Sequence, residues 1–282
     1  MLTRLELGAE TLVGISVGGI YTSLFFPSLG CVFDAGASPR SFVGAENVFI
    51  SHGHADHIGA LPGVLGMRGL AHLPAPRVFL PKEILADTRE GIDAFNRGQH
   101  RPLDVPWLGL SPGDEKLLAH DLWVRAFRTL HSVPSLGYEL YRKVQKLRPA
   151  FQQLTGPEVA RRRARGDDLF DTVERGQLAY VTDTRIDVLD QNPGLYQCRT
   201  LVLECTFVDD SRSVKQAREK GHIHLKEIVE RAELFKNQHL VLMHFSQSTK
   251  PARVHQIIAE QLPQALLPRV RVLAPKSGPW PG

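Results

Sequence analysis

The chain has 282 residues, 43% hydrophobic and 23% charged, an ordinary globular mixture that excludes a disordered or fibrous protein and leaves enough apolar side chains for a sizeable core. Net charge is +4, mildly basic. No apolar run approaches the roughly 20 residues of a membrane-spanning helix, and the start "MLTRLELGAE" carries an acidic residue where a secretory leader would stay apolar, so the expected compartment is the cytoplasm, with no membrane partner.

In chain order, short apolar runs predict strands at residues 23–27, 31–36 and 47–51, a helix over 58–70, a strand at 77–81 and a helix over 82–98. Strands follow at 122–127, 136–141, 178–183 and 200–207, then helices over 213–221 and 224–237, a strand at 240–245, a helix over 251–262 and a strand at 269–274. In the 224–237 helix, Leu225, Ile228, Val229 and Ala232 fall on one face. The pattern suits an α/β or α+β fold with helices outside two packed sheets. No repeat or low-complexity linker divides it, so residues 1–282 read as one domain.

One compositional break stands out, a basic stretch at about 142–176. Between Arg142 and Arg165 lie eight cations (Arg142, Lys143, Lys146, Arg148, Arg161, Arg162, Arg163, Arg165) and one acid, Glu158, so this window is +7 and the remainder −3. It reads as an insert between strands, with its ends tied near residues 131 and 183, and as a surface for RNA phosphates. Cys31, Cys198 and Cys205 lie in strand-like apolar contexts and read as buried, reduced thiols.

The stretch "FISHGHADHIGAL" places His52, His54, Asp56 and His57 between a predicted strand and a predicted helix. His52 and His54 are two apart, so in extended chain they point the same way, and imidazole and carboxylate are ligands that zinc takes. The pattern H-x-H-x-D-H arises by chance in on the order of one such chain in a thousand. One loop cannot complete two metal sites, so further ligands are expected at strand ends, where His131, Asp183 and His244 stand.

With those residues in this order, the chain resembles the metallo-β-lactamase fold and, within it, ribonuclease Z in its short form, the endonuclease that trims the 3′ end of precursor tRNA. The resemblance rests on "GISVGGIYTSLFFPS", "FDAG", "FISHGHADHIGALPG", "FRTLHSVPSLGY", "LVLECTFVDD", "GHIHLKEIVERAELF" and "HFSQ". It implies an αββα four-layer sandwich of two mixed β-sheets flanked by helices. It implies that His52, His54 and His131 hold one zinc and that Asp56, His57 and His244 hold the other. Asp183 would bridge the two metals and Asp34 orient the ligand loop; manganese or iron could replace zinc.

The resemblance further implies attack of a metal-bound hydroxide, hydrogen-bonded to Asp56, on the phosphodiester. His222, paired with Glu204, would protonate the leaving 3′ oxygen, with His224 as the alternative ring. The products would be a 3′-hydroxyl on the tRNA and a 5′-phosphate on the trailer, made by a homodimer in which one subunit's insert reaches the other's substrate. Two departures from the family pattern are Thr182, where the family usually has glycine, and the missing Pro-x-Lys-x-Gly signature before residues 178–183. The alternatives are another hydrolase of the fold (a phosphodiesterase, DNA nuclease or small-ester hydrolase) and a non-catalytic RNA-binding scaffold.

Overall fold

A computed structural model describes residues 2–100 and 103–281. Two seven-stranded sheets face each other, each ordered along its edge as in the chain. The first comprises β1 (Thr3–Leu7), β2 (Glu10–Val17), β3 (Tyr21–Phe26), β4 (Cys31–Phe33), β5 (Asn47–Phe49), β6 (Arg77–Pro81) and β7 (Trp107–Leu110). The second comprises β8 (Glu115–Ala119), β9 (Leu122–Arg128), β10 (Leu136–Leu147), β11 (Phe170–Val181), β12 (Thr200–Glu204), β13 (His239–Met243) and β14 (Val270–Val272). In each sheet the first four strands are antiparallel and the last four parallel. The halves thus repeat a topology that their sequences do not show.

The helices are α1 (Ala55–Ile58), α2 (Leu61–Leu70), α3 (Leu85–Gly98), α4 (Gly156–Ala164), α5 (Asp187–Gln191), α6 (Val214–Glu219), α7 (Leu225–Glu230) and α8 (Pro251–Gln261). Successive strand residues face opposite ways, and both faces of the central strands are buried, which is why they read as unbroken apolar runs. Phe33, Phe49, Phe79, Tyr138, Tyr180 and Val241 meet between the sheets. Val32, Val48 and Val78 face outward onto Leu61, Val64 and Ile92 of α2 and α3. Ala179, Val181, Leu201 and Leu240 face the other way onto Ile228, Val254 and Ile258 of α7 and α8. Three apolar layers between four structural layers make the αββα sandwich. No helix among the described residues is long and apolar enough to cross a membrane.

Several expectations change. Strands β1, β2, β7 and β8 had no apolar run to announce them; in β2 buried and half-exposed residues largely alternate, and in β1 only Leu7 is buried. The helix expected over 58–70 is broken at Gly59 and Ala60, so α1 is a separate turn and α2 starts afresh with Pro62 in its first turn. The helix expected over 224–237 closes at Glu230.

The basic stretch is also corrected. Strand β10 continues through Leu147 and β11 resumes at Phe170, paired with it, so Arg142, Lys143 and Lys146 lie on a strand. The neighbour β9 ends opposite Arg142. Beyond that point the two-stranded ribbon has no layer over it, and its side chains turn polar. It leaves the sheet at the N-terminal end of β11, whereas Asp183 follows the C-terminal end. At about 3.3 Å per residue the ribbon's outer end lies roughly 40 Å from Asp183, not beside the histidine cluster as expected.

Candidate metal centre

The clustered residues occupy loops at the C-terminal ends of β4, β5, β9, β11, β12 and β13, where a parallel sheet opens to a crevice. Asp183 lies at the middle. Its Oδ1 is 3.3 Å from His57 Nε2 and 3.3 Å from His244 Nε2. Its Oδ2 is 3.8 Å from His52 Nε2 and 3.8 Å from His131 Nε2. His54 Nδ1 completes the Oδ2 side, 2.9 Å from His52 Nε2 and 3.3 Å from His131 Nε2. Asp56 Oδ2 completes the Oδ1 side, 3.4 Å from His57 Nε2.

Two donor groups therefore share one carboxylate. The ligand atoms of His52, His54, His131 and Asp183 lie within 4.8 Å of one another, as do those of Asp56, His57 and His244. So many lone pairs converging at hydrogen-bond range repel unless a cation sits among them, and five imidazoles with two carboxylates are a donor set that divalent transition metals take.

The surroundings fix which nitrogen faces inward. His57 Nδ1–H donates to Asp34 Oδ2 at 2.6 Å. The Ser51 hydroxyl donates to Asp34 Oδ2 at 2.8 Å, so it accepts from His52 Nδ1–H at 2.9 Å. His131 Nδ1 points to the Gly221 carbonyl at 3.4 Å. The Thr206 hydroxyl donates to Glu204 Oε2 at 2.6 Å and so accepts from His244 Nδ1–H at 3.1 Å. In each case the proton sits on the outer nitrogen and a lone pair points to the centre. Asp34 also accepts from the Tyr180 hydroxyl at 2.6 Å.

Asp34, Asp183 and His244 have φ of 56°, 42° and 61°. Non-glycine residues held there cost about 1 kcal/mol or more each, a strain that collects where geometry serves function. The Thr182 hydroxyl donates to Asp183 Oδ1 at 2.8 Å, a contact that glycine could not make. Gly36 is constrained too, since a Cβ there would lie 1.8 Å from the Asp56 carbonyl oxygen.

Charges in the cluster oppose burial. Burial alone would raise Asp183, but the facing His244, His57 and His52 hold it well below the usual carboxylate range. Burial pushes His52 down to about 2, helped by His57. Burial would also lower His57, but Asp183 and Asp34 raise it well above its ordinary value.

At the edge of the centre, His222 Nδ1–H donates to Glu204 Oε1 at 3.0 Å. The wholly buried Glu204 also accepts from the Thr184, Thr206 and Ile223 amides. Burial alone would lower His222, but Glu204's charge and hydrogen bond outweigh it and raise the ring to about 9. A ring nitrogen of His222 lies within 4.8 Å of ligand-type atoms of Asp183 and His244, at the border of the two donor groups. His224 is excluded as the alternative ring. Its Nδ1 accepts from the Lys226 amide, its Nε2 meets the Asp209 carbonyl, and the residue is buried.

Among known proteins, the beta-lactamase superfamily domain matches residues 29–245. A ribonuclease Z of Triticum aestivum, named as nuclear, is 38% identical over 170 residues, 60% of this chain and 97% of the relative. The tRNase Z TRZ1 of Arabidopsis thaliana is 36% identical over 244 residues, 86% of this chain and 87% of the relative. The chain belongs to the ribonuclease Z family. The crystal structure of human tRNase Z, short form, superposes with a TM-score of 0.60 at 18% identity, covering 95% of this chain and 98% of that one, which speaks to the fold.

In this ribonuclease Z family member the expected RNA-contacting residues divide. Arg142 pairs with Asp121, Lys143 with Glu115 at 3.5 Å, and Arg148 with Asp168 and Asp171 at 2.6 and 2.8 Å. Arg165 lies 3.9 Å from Asp167. Lys146, Arg161, Arg162 and Arg163 have no ion pair among the described residues, and the last three sit on α4 at the ribbon's tip.

Sequence reasoning missed Ser51, Tyr180, Thr206 and Gly36. Ser51 and Thr206 adjoin or lie close to predicted site residues and could have been suspected. Tyr180 meets Asp34 across 146 residues, and nothing local marks that contact.

Thr206→Val keeps the shape and removes the acceptor for His244 Nδ1. Metal affinity measured by competition with a chromophoric chelator is expected to fall about 10–100-fold. Unchanged affinity would mean that Thr206 does not orient His244.

Proposed function

We propose that the chain is a metal-dependent endoribonuclease that removes the 3′ trailer of precursor tRNA and leaves a 3′-hydroxyl. The observation that carries this reading is Asp183 shared between two donor groups, with His222 held by Glu204 at their edge. The centre would hold two divalent cations, zinc first by its donor set, on His52, His54 and His131 on one side and Asp56, His57 and His244 on the other. Bound there, the pair supplies Lewis acidity toward the phosphate and makes a water nucleophilic at neutral pH.

The chain's own residues do the rest. Asp56, anchored by the Gly19 amide at 3.0 Å, would accept a hydrogen bond from the nucleophile and aim it at the phosphorus. As the new P–O bond forms, the P–O3′ bond breaks, and His222 delivers a proton to O3′. The phosphate stays on the trailer.

The test uses 5′-labelled precursor tRNA with the product end mapped to one nucleotide. One cut beside the discriminator nucleotide is expected, and it is lost in His54→Ala. No cut on tRNA, with bis(p-nitrophenyl) phosphate still turned over, would leave a phosphodiesterase of other substrate.

The unpaired arginines of α4 support an RNA-contact role for the ribbon. Its distance from Asp183 supports a homodimer in which the ribbon meets the body of a tRNA bound to the partner. Serine at Arg161, Arg162 and Arg163 together is expected to raise KM about tenfold at 0.1 M salt and to flatten the log–log salt dependence of binding by about two. An unchanged salt slope would remove α4 from the RNA interface. The three cysteines are unpaired and buried, which supports a reducing compartment such as the cytoplasm.

A further inference from the structure

Beside the metal centre lies a pocket of about 450 Å³ whose inner wall is His222 and His244. Its other walls include Phe207, the Gly18–Gly19 turn and the Ser246–Ser248 loop, with Arg212 and Lys220 at its lining. No carboxylate among the described residues lines it. Lys220 has no side-chain partner among the described residues, and Arg212 meets only the Ser211 carbonyl at 3.3 Å. The nearby acids are engaged, Asp210 by Lys226 and Asp209 by Thr249 and the Ser211 amide. The half-buried Phe207 stands nearly perpendicular to the His222 ring, centroids 6.2 Å apart.

We infer that this pocket takes the last nucleotide retained by the tRNA, its base against Phe207 and its 5′ phosphate between Arg212 and Lys220. The inference rests on the trailer-cleaving reading above. In that reaction the leaving atom is O3′ of the retained nucleotide, and its proton comes from His222. The sugar bearing that oxygen must therefore lie against His222, and the space continuous with His222 is this pocket. An aromatic face accepts any base, and two cations without a competing carboxylate suit a phosphate. The trailer, which keeps the phosphorus, leaves across the other side of the centre.

The test is a double-mutant cycle on metal-loaded protein. Wild type and Phe207→Ala each cleave precursor tRNA carrying a normal or an abasic nucleotide 5′ to the cut. Each also binds the trimmed product ending in either nucleotide. Wild type is expected to lose about tenfold in kcat/KM and in product affinity when the base is removed, whereas Phe207→Ala loses less than twofold. Because each ratio is taken within one protein, partial misfolding of the variant cancels. Lys220→Gln, on the surface, is expected to flatten the salt dependence of product binding by about one.

Equal base-removal losses in wild type and Phe207→Ala, while wild type still cuts at the expected bond, would overturn the pocket assignment and leave the enzyme reading standing. Failure of wild type to cut precursor tRNA would sink that reading and the pocket with it.

Discussion

Asp183→Asn is expected to lower precursor-tRNA cleavage about a thousandfold, as loss of one to two metals' worth of transition-state charge stabilisation implies. Asparagine has nearly the same shape and is among the residues most tolerant of positive φ, so the φ of 42° does not exclude it. What it lacks is the second charged oxygen. Asp183 Oδ1 faces His57 and His244 while Oδ2 faces His52 and His131, and an amide offers a donor on one of those sides. Metal content by mass spectrometry should fall below two per chain, with the fold intact by circular dichroism. Full metal content and near-normal turnover would mean that the carboxylate is not shared by two cations.

His222→Ala is expected to slow precursor-tRNA cleavage about 10²–10⁴-fold, the usual contribution of a general acid. The same variant should turn over bis(p-nitrophenyl) phosphate at close to the normal rate. Nitrophenolate departs without a proton, whereas the alkoxide at a ribose 3′ oxygen does not. Equal losses on both substrates would assign His222 to the metal centre instead. The pH dependence follows from the raised ring, at about 9 with Glu204 beside it. A proton donor works below its pKa, so activity should fall as pH rises through that value. Glu204→Gln removes the charge that raises the ring, so the alkaline limb should move to lower pH. A limb that stays in place would mean that another group titrates there.

The candidate ligand residues were legible in the sequence because chemistry concentrates them. Six residues hold H-x-H-x-D-H, and His131, Asp183 and His244 each end an apolar run. The central strands were legible too, since burial on both faces makes them apolar throughout. The edge strands β1, β7 and β8 were not, because edge positions are half solvated, nor was β2, whose buried and half-exposed residues largely alternate. The basic ribbon misled for a related reason. Spacing along the chain placed it between two site residues, but a hairpin carries its tip away from both of its ends, here by twelve residues of β10 and twelve of β11.

Residue type and spacing thus pointed to a metal-type donor cluster at His52, His54, Asp56 and His57, because ligand chemistry admits few side chains, and the motifs around it carried the resemblance to the family. Only the tertiary structure decided how those donors divide about Asp183, which ring Glu204 holds, and that His224 is committed elsewhere. It alone also showed that Asp34, Ser51 and Thr206 set the ring protons of His57, His52 and His244, that Tyr180 donates to Asp34, and that half the basic residues are already neutralised. Those properties depend on distances of a few ångströms between residues far apart in the chain, and periodicity and composition carry no record of them.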